Sequence, residues 1–346
     1  MLDTVQVEER LALEMSAGQV PGLALAMVRG QEVIYAQGFG VTSVEDGGLP
    51  VTPQTLFRIG SVTKPLTGTM LMRLVENGKP ELDCPISEYL PWLTLGDGVA
   101  QRITLRMLLS HTSGLPTDAE HFGPRDPGGL ERFVREEAPG YPLLAPPGTF
   151  WAYSNVGLNI AGYLAEAVSG LPYAELMQQL LFEPLAMRRT TFDPLVAMTY
   201  PLAQAHERNR YGDLIVRHQF AENTGHHPGS FALSTALDLA NFAILHLNQG
   251  CFREQRLLSP ASIAAMHRKH ISLIDDSEEG YGLTFYTDSY RGQPRVSHGG
   301  AISSYGSHLM LLPQAGIGVV LLANRADGIH LATLANQIID GLIGRP

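Results

Sequence analysis

The chain has 346 residues, of which 45% are hydrophobic and 17% are charged, so it is long enough to bury a large core and to form two domains. Its net charge of -10 and its lack of any basic run argue against nucleic acid as a partner. No apolar run approaches the roughly 18–20 residues that cross a bilayer, which argues against a membrane-spanning helix.

Residues 1–20, MLDTVQVEERLALEMSAGQV, predict an amphipathic helix. This segment is acidic and lacks the basic and apolar regions of a signal peptide. The chain holds two cysteines, Cys84 and Cys251, which we expect to be buried free thiols. Together these features predict a cytoplasmic protein.

Two apolar runs follow, PGLALAMVRG at residues 21–30 and QEVIYAQGFG at residues 31–40. They are rich in valine, isoleucine and tyrosine and are punctuated by glycine, which predicts a β-hairpin. TLFRIG at residues 55–60 predicts a third, short strand.

Helical patterns alternate with loops rich in proline and glycine from about residue 61 to about residue 230. LTGTMLMRLVENG at residues 66–78 and NVGLNIAGYLAEAVSG at residues 155–170 both end on glycine, as helices often do. STALDLANFAILHLNQG at residues 234–250 predicts a further helix.

Strand patterns return towards the C terminus, where short connections favour antiparallel pairing. The four runs are GYGLTFYTDS (280–289), QPRVSHGG (293–300), SYGSHLMLLP (304–313) and GIGVVLLANR (316–325). The last segment, HLATLANQIIDGLIG, predicts an amphipathic helix.

We therefore predict an α/β fold of the α+β type. The N-terminal hairpin and the C-terminal strands would share one antiparallel sheet, flanked by the N- and C-terminal helices. Residues 1–60 and 231–346 would form this sheet domain, and residues 61–230 an inserted all-helical domain. A functional site is expected at the junction of the two.

Ser61 and Lys64 form an S-x-x-K pattern at the start of the first helix of the insert. Residues three apart on a helix share a face, so the two side chains can touch. Because Pro65 is tolerated only in a first turn, Ser61 is expected at the positive end of the helix, where free N–H groups can bind an oxyanion. Taken alone, the pattern is more often an N-cap serine with an exposed lysine than a nucleophile with its base.

Two later patterns complete a set. WAYSNVG holds Tyr153-x-Asn155 at a loop-to-helix junction, and SHGGAIS holds His298-Gly299-Gly300 at a predicted strand end. In isolation Tyr153 fits a core residue and Asn155 fits an N-cap. With S-x-x-K, and in this order, they supply a nucleophile, two candidate bases, a side-chain amide and an edge strand to hold a substrate.

Around these residues the chain resembles the penicillin-recognising serine hydrolases close to class C β-lactamases. That group includes D-Ala-D-Ala carboxypeptidases, D-aminopeptidases and family VIII carboxylesterases. The resemblance runs from about residue 5 to the end and implies a class C β-lactamase/DD-peptidase-like fold. It rests on FRIGSVTKPLTG, LLSHTSGLP, PPGTFWAYSNVGLNIAGYLAE and HGGAISSYGSHLMLLPQAGIGVVLLANR.

The resemblance implies a role for each matching residue. Ser61 would attack a carbonyl and form an acyl-enzyme, and Lys64, or Tyr153 as a phenolate, would take its proton. An ordinary lysine has a pKa of ~10.4, which burial must lower by roughly three pH units to give a good base at pH 7. Asn155 would hydrogen-bond the substrate and steady Lys64. The N–H groups of Ser61 and Ala301 would form the oxyanion hole, and no metal or cofactor is expected.

His298-Gly299-Gly300 stands where class C β-lactamases have Lys-Thr-Gly, and the resemblance implies that this strand binds the substrate. A neutral histidine and a glycine remove one positive charge and one hydroxyl donor. An anionic substrate then loses a charge-assisted hydrogen bond worth about 1.5–3 kcal/mol. The change favours esters or uncharged amides over β-lactams.

We therefore predict a serine hydrolase that acts on carboxylic esters, with a small-molecule ester or amide as its partner. The alternative is a D-amino-acid peptidase or carboxypeptidase, or a weak β-lactamase. A catalytically idle ligand-binding or sensor domain is a third possibility, although it would have no need of Ser61, Lys64 and Tyr153 together. Neither nucleic acid nor a membrane is an expected partner, and the sequence does not predict the oligomeric state.

Other histidines and aromatic residues have structural interpretations. His111, in HTSG, is expected at a helix end and turn. His226–His227 and the pair His267/His270 are expected at surface positions, because no metal-ligand spacing accompanies them. The residues that fit an acyl-pocket wall and core packing equally well are Phe150, Trp151 and Tyr305.

Overall fold

An eight-stranded antiparallel sheet is the centre of the computed structural model, which describes residues 4–96, 98–118 and 120–343. The strands are β1 (Gly22–Arg29), β2 (Glu32–Gly40), β3 (Phe57–Arg58), β4 (His206–Arg208), β5 (Leu214–Val216), β6 (Leu233–Ser234), β7 (Cys251–Phe252), β8 (Gln255–Arg256), β9 (Ile271–Ser272), β10 (Gly280–Tyr281), β11 (Tyr286–Tyr290), β12 (Gln293–Ile302), β13 (Tyr305–Leu312) and β14 (Ile317–Ala323). The sheet order is β2-β1-β14-β13-β12-β11-β10-β9, and β3 pairs with β6, β4 with β5, and β7 with β8.

Some of the helices cover the two faces of this sheet, and the others pack on one another. The α-helices are α1 (Thr4–Gly18), α2 (Thr63–Glu76), α3 (Leu105–Leu109), α4 (Gly129–Arg132), α5 (Asn155–Ser169), α6 (Tyr173–Met177), α7 (Pro194–Ala197), α8 (His227–Ser230), α9 (Ala236–Leu247), α10 (Pro260–His267) and α11 (Leu331–Ile343). The terminal helices α1 and α11 pack on one face, as the sequence predicts, and α9 packs on the other.

β1 joins the N-terminal hairpin to the C-terminal strands. It pairs with β2 on one side and with β14 on the other, so the N-terminal hairpin and the C-terminal strands form one sheet, as predicted. Successive side chains of a strand point to opposite faces. Leu23 and Leu25 therefore join the core under α1 and α11, whereas Ala24 and Ala26 join the core on the helical side.

The middle of the chain is helical, with α2 to α8 between Thr63 and Ser230. The prediction of an all-helical insert is wrong in one detail, because β4 and β5 form a small hairpin within it. The division into domains at residues 61 and 230 stays a prediction. Residues 1–3 and 344–346 of the predicted sheet domain lie outside the described residues.

The run at residues 280–289 forms two short strands, β10 and β11, where the sequence predicts one. Thr284 lies between them with a φ of +66°, and its N–H donates to the carbonyl of Leu109 (2.8 Å). Gly68 of α2 lies directly against this threonine, since a Cβ at Gly68 would be 2.3 Å from Thr284 Oγ1. The interrupted strand thereby packs closely against α2.

α2 begins at Thr63 after a short 3-10 turn at Gly60–Val62, and Pro65 lies in its first turn as predicted. Ser61 does not cap this helix. The capping position is held by Val62, and no side chain accepts a hydrogen bond there. The interpretation of Ser61 as an N-cap is therefore wrong, and its hydroxyl is available for other contacts.

A buried ion pair fixes the chain before α8. Arg58 and Glu222 are only 1% and 4% exposed, with Arg58 Nη2 2.8 Å from Glu222 Oε2. The other carboxylate oxygen, Oε1, lies 2.7 Å from His227 Nε2. The expectation that His226 and His227 lie at the surface is therefore wrong, since both are buried and His227 is held inside by this carboxylate.

The remaining histidine pair and the cysteines are unexceptional. His267 and His270 are half-buried, and each hydrogen-bonds a protein group, His246 Nδ1 (3.0 Å) and the carbonyl of Ala265 (2.8 Å). Cys84 and Cys251 are free thiols, as expected, but the prediction that they are buried is wrong, because both are half-buried. In the ranges that the structure describes, no helix has the length and apolar character needed to cross a membrane.

Replacing Glu222 by alanine removes the carboxylate that balances the buried Arg58. We expect the free energy of unfolding to fall by about 3–5 kcal/mol, because a buried charge is left without compensation. Chemical denaturation of the two proteins measures this difference.

Glu207→Ala is the matched control, because Glu207 pairs with Arg217 nearer the surface, at 38% and 26% exposure. Such a pair contributes at most about 1 kcal/mol. Equal losses in the two variants would contradict the assignment of Arg58–Glu222 as a structural anchor.

Candidate active site

Ser61 and Lys64 touch across the first turn of α2. Lys64 Nζ lies 3.1 Å from Ser61 Oγ and donates a hydrogen bond to the carbonyl of Gly229 (2.7 Å). Lys64 is fully buried, and no carboxylate pairs with it among the described residues. The lysine of the S-x-x-K pattern is therefore an enclosed group, not an exposed surface residue.

Burial sets the protonation state of Lys64. Removal from water penalises the ammonium form, which lowers the pKa of Lys64 well below its ordinary value. A neutral amine has one lone pair, and the hydroxyl of Ser61 lies within hydrogen-bond reach of it. The distance between the two groups and the lowered pKa of Lys64 are what a nucleophile with a general base requires, and these roles stay a prediction.

Tyr153 completes this group from the loop before α5. Lys64 Nζ lies 4.7 Å from the centre of its ring, and the Tyr153 phenol hydrogen-bonds Ser61. Burial raises the pKa of Tyr153 above its ordinary value, although the hydrogen bond to Ser61 opposes this. The directions of the two pKa shifts favour the Lys64 amine over a Tyr153 phenolate as the base.

Two glycines let β12 approach the turn that carries Ser61. A Cβ at Gly300 would lie 2.1 Å from the carbonyl oxygen of Ile59 and 2.9 Å from the Ser61 nitrogen. Gly60 has a φ of +49°, and a Cβ there would lie 2.7 Å from the Ala301 nitrogen. These two glycines allow the backbone at Ala301 to lie close to the turn that holds Ser61, and an oxyanion hole formed by the N–H groups of Ser61 and Ala301 stays a prediction.

His298 lies beneath this strand end as a neutral ring. It is 1% exposed, its Nδ1 donates to the carbonyl of Gly299 (2.7 Å), and its Nε2 accepts from the Tyr281 hydroxyl (3.0 Å). Burial, with the nearby Lys64, lowers the pKa of His298 to about 3. His298 therefore provides no positive charge at neutral pH.

Asn155 lies at the start of α5, and the helix is capped by Ser154, whose Oγ accepts from the Gly157 N–H (2.8 Å). The side-chain nitrogen of Asn155 donates to the carbonyl of Asp118, and Asn155 Oδ1 has no partner among the described residues. The expected contact between Asn155 and Lys64 is not present among the described residues, where Lys64 Nζ instead donates to the carbonyl of Gly229. A contact between Asn155 and substrate stays a prediction.

His111 and Gly229 are site residues that the sequence reasoning missed. His111 is fully buried, and its Nδ1 accepts from the Ser154 N–H (3.1 Å), which fixes the backbone beside Tyr153. The only signal for His111 was its place in the HTSG stretch of the resemblance. Gly229 carried none, because its contact is a backbone carbonyl 165 residues from Lys64 in the chain.

Aromatic rings line the approach to these groups. Trp151 lies 6.2 Å from the rings of both Tyr153 and Tyr286, measured between ring centres. Phe150 is half exposed, and Tyr305 is a buried residue whose hydroxyl donates to the carbonyl of Ala203 (2.6 Å). Of the three aromatic residues that fit both an acyl-pocket wall and core packing, Tyr305 is therefore a core residue, and Trp151 lies at the candidate site.

Among the described residues, no three histidines, cysteines or carboxylates cluster in a way that would hold a metal ion.

The chain matches a protein-family model described as Beta-lactamase over residues 7–341. Penicillin-binding protein 4 of Amycolatopsis lactamdurans is 30% identical over an alignment that covers 99% of this chain and 91% of the relative. Other curated relatives are longer, and the chain spans 62% of their length.

Solved structures share the fold. The octameric penicillin-binding protein homologue from Pyrococcus abyssi matches with a TM-score of 0.86 and 27% identity, covering 99% of this chain and 78% of that one. The D-alanine carboxypeptidase AmpC from Burkholderia cenocepacia matches with a TM-score of 0.77 and 26% identity, covering 96% and 97%. The predicted fold class and the family resemblance are confirmed by these similarities.

Gly300→Ala tests the close approach of β12 to Ser61. The added methyl group would overlap the carbonyl of Ile59, so the strand must move away and the two N–H groups separate. We expect kcat to fall about 100-fold or more, the usual effect of losing one oxyanion donor. Gly299→Ala is the matched control, because its Cβ would meet nothing closer than 3.5 Å; comparable losses in both variants would contradict this interpretation.

Lys64→Met tests the buried neutral amine through stability as well as activity. Burial lowers the pKa of Lys64 in the folded protein and not in the unfolded chain, so protonation favours the unfolded chain below the unfolded pKa of ~10.4, and this penalty on folding fades as pH rises towards that value. We expect the variant to gain about 0.5–2 kcal/mol in free energy of unfolding at pH 7, and less at pH 9. Its activity should fall about 100-fold or more.

Urea denaturation at the two pH values measures the change. Lys79→Met is the control, because Lys79 is exposed and its replacement should leave both stability and activity near those of the parent. A loss of stability in Lys64→Met at pH 7 would show that the amine is charged and stabilising in the folded protein.

Proposed function

The chain belongs to the beta-lactamase family of serine hydrolases, and we propose that within this family it hydrolyses carboxylic esters through an acyl-enzyme on Ser61. The observation that carries the proposal is the neutral, buried His298 on the strand that faces the substrate.

Acylation follows from the contacts of Ser61. Its Oγ attacks the ester carbonyl while its proton passes to the amine of Lys64, 3.1 Å away. The N–H groups of Ser61 and Ala301 stabilise the negative charge on the carbonyl oxygen. The tetrahedral intermediate then expels the alkoxide, which takes the proton from Lys64 or from Tyr153 and leaves as an alcohol.

Deacylation uses the same groups in reverse roles. A water molecule attacks the acyl carbon and gives its proton to the Lys64 amine. Collapse of the second tetrahedral intermediate breaks the bond to Ser61 Oγ, which recovers the proton, and the carboxylic acid leaves. No group outside this set is required for the atoms and charges to balance.

The charge of His298 argues for uncharged substrates. A cation at this strand would form a charge-assisted hydrogen bond with a substrate carboxylate, worth about 1.5–3 kcal/mol. His298 is neutral, and both of its ring nitrogens already have protein partners. The rings of Trp151 and Tyr286 add an apolar surface that suits a small or medium acyl group.

A second candidate is hydrolysis of D-amino-acid peptides. It is favoured by the match to a D-alanine carboxypeptidase and by the curated relative that is named a penicillin-binding protein. The unpartnered Oδ1 of Asn155 is an acceptor that an amide N–H of such a substrate would satisfy.

The test is to assay p-nitrophenyl acetate and butyrate, D-alanine p-nitroanilide and nitrocefin with one preparation. We expect kcat/KM, divided by the uncatalysed hydrolysis rate of each compound, to be highest for an ester. This division matters because p-nitrophenyl esters are activated. A higher ratio for the anilide would favour the peptidase, and turnover of the esters by Ser61→Ala at the parent rate would contradict the mechanism.

A fluorophosphonate probe followed by intact-mass measurement tests the nucleophile separately. The parent protein should gain one probe adduct, and Ser61→Ala should gain none. Ser169→Ala, at the far end of α5, is the matched control and should be labelled as fully as the parent. Labelling that survives the loss of Ser61 would show that another residue is the nucleophile.

A further inference from the structure

A second cavity lies in the helical part of the chain, lined by α6, α7 and parts of α5 and α8. Its volume is about 540 Å³, within the range of small-molecule sites. Ser61, Lys64, Tyr153 and His298 are not among its lining residues, so it is distinct from the site described above.

Aromatic side chains form much of the wall. Tyr173, Phe192 and Phe220 line the cavity, and the ring of Phe192 packs edge-on against Tyr173 (5.3 Å between centres) and is stacked on His227 (5.0 Å). These contacts hold the rings in place without a ligand. The cavity therefore has a preformed apolar body.

Glu166 is a half-buried carboxylate in the lining without a counterion among the described residues. Glu166 of α5 accepts a hydrogen bond from the Tyr173 N–H (2.6 Å) through Oε1, and no basic side chain acts on it in the described part of the chain. Burial, with the carboxylate of Glu131 nearby, raises the pKa of Glu166 to about 7. The ionised form of a half-buried acid of this kind is stabilised by a cation that enters the cavity.

The other acidic groups in the lining are less suited to a ligand cation than Glu166. Glu222 is already bound by Arg58 and His227. Asp193 accepts from the Leu195 N–H (2.8 Å) at the start of α7 and is exposed to water, which screens its charge. Arg125 lines the cavity as an exposed residue. Glu166 is thus the lining carboxylate that a ligand can pair with.

We propose that this cavity binds a small primary amine, with its ammonium group at Glu166 and its aromatic or alkyl body between Tyr173, Phe192 and Phe220. The assignment does not depend on the substrate of Ser61. The bound amine would contact α8 because His227 of that helix lines the cavity. Gly229, two residues later in α8, accepts the hydrogen bond from Lys64 of α2.

The full chain carrying Ser61→Ala is used for the test, so that no reaction at the active site contributes. 2-Phenylethylamine is titrated in a calorimeter at pH 8, where the probe is an ammonium ion. We expect saturable binding to one site with a millimolar or lower Kd. 2-Phenylethanol, which has the same body without the charge, should bind about tenfold or more weakly.

Variants locate the bound amine. Glu166→Gln keeps an acceptor for the Tyr173 N–H and removes the charge, so affinity should fall about tenfold or more. Glu175→Gln removes an equal charge from an exposed neighbour on α6 and should bind as the parent does. Ala174→Phe adds bulk at an exposed lining residue, so it should block the cavity without disturbing the core.

Three results would overturn the proposal. They are absence of saturable binding up to about 10 mM, equal affinity for the alcohol and the amine, and unchanged affinity in both Glu166→Gln and Ala174→Phe. Because no turnover is measured, failure of the ester hydrolysis proposal would leave these outcomes unchanged.

Discussion

The amine of Lys64 is enclosed by protein, and its hydrogen-bond partners are the hydroxyl of Ser61 and the carbonyl of Gly229. Neither partner carries a charge that would favour an ammonium ion, so desolvation governs the protonation of the lysine. An amine whose pKa is lowered by desolvation requires surroundings that exclude water and pack closely around it. α2 supplies one wall with Ser61 and Lys64, and α8 supplies the other through Gly229.

α8 has four residues and is too short to hold its position by itself. Thr67 of α2 donates to the carbonyl of Pro228 (2.7 Å), and Pro228 packs so closely on α5 that a Cβ at Gly162 would lie 2.2 Å from its ring. His227 is held by Glu222 from the other side. The Gly229 carbonyl that binds Lys64 is thus positioned by contacts of the neighbouring residues in α8, so the Arg58–Glu222 pair supports the candidate site as well as the core.

Sequence reasoning succeeded where structure is determined by near neighbours in the chain. Pro65 and the S-x-x-K spacing correctly indicate where α2 begins and that Ser61 and Lys64 touch. The apolar runs punctuated by glycine correctly indicate the N-terminal hairpin and the C-terminal strands of the sheet. It failed for buried polar partners. His227 resembles a surface residue until Glu222 is placed beside it, and Gly229 meets Lys64 across 165 residues. Such contacts depend on how helices are stacked, and no local pattern encodes that stacking.

Lys64, His111 and His298 are three buried basic groups of the candidate site, and burial lowers the pKa of each. Lys64 also lowers the pKa of both histidines, so a proton on one of the three makes a proton on the others less favourable. The positive potential that stabilises an oxyanion must then come from backbone N–H groups and from the N terminus of α2, whose dipoles do not vary with pH. A site of this kind stabilises charge that develops during the reaction and has little attraction for charge already present on the substrate. An uncharged ester would benefit in full from the stabilisation of developing charge, and it carries no charge of its own that the site would need to attract.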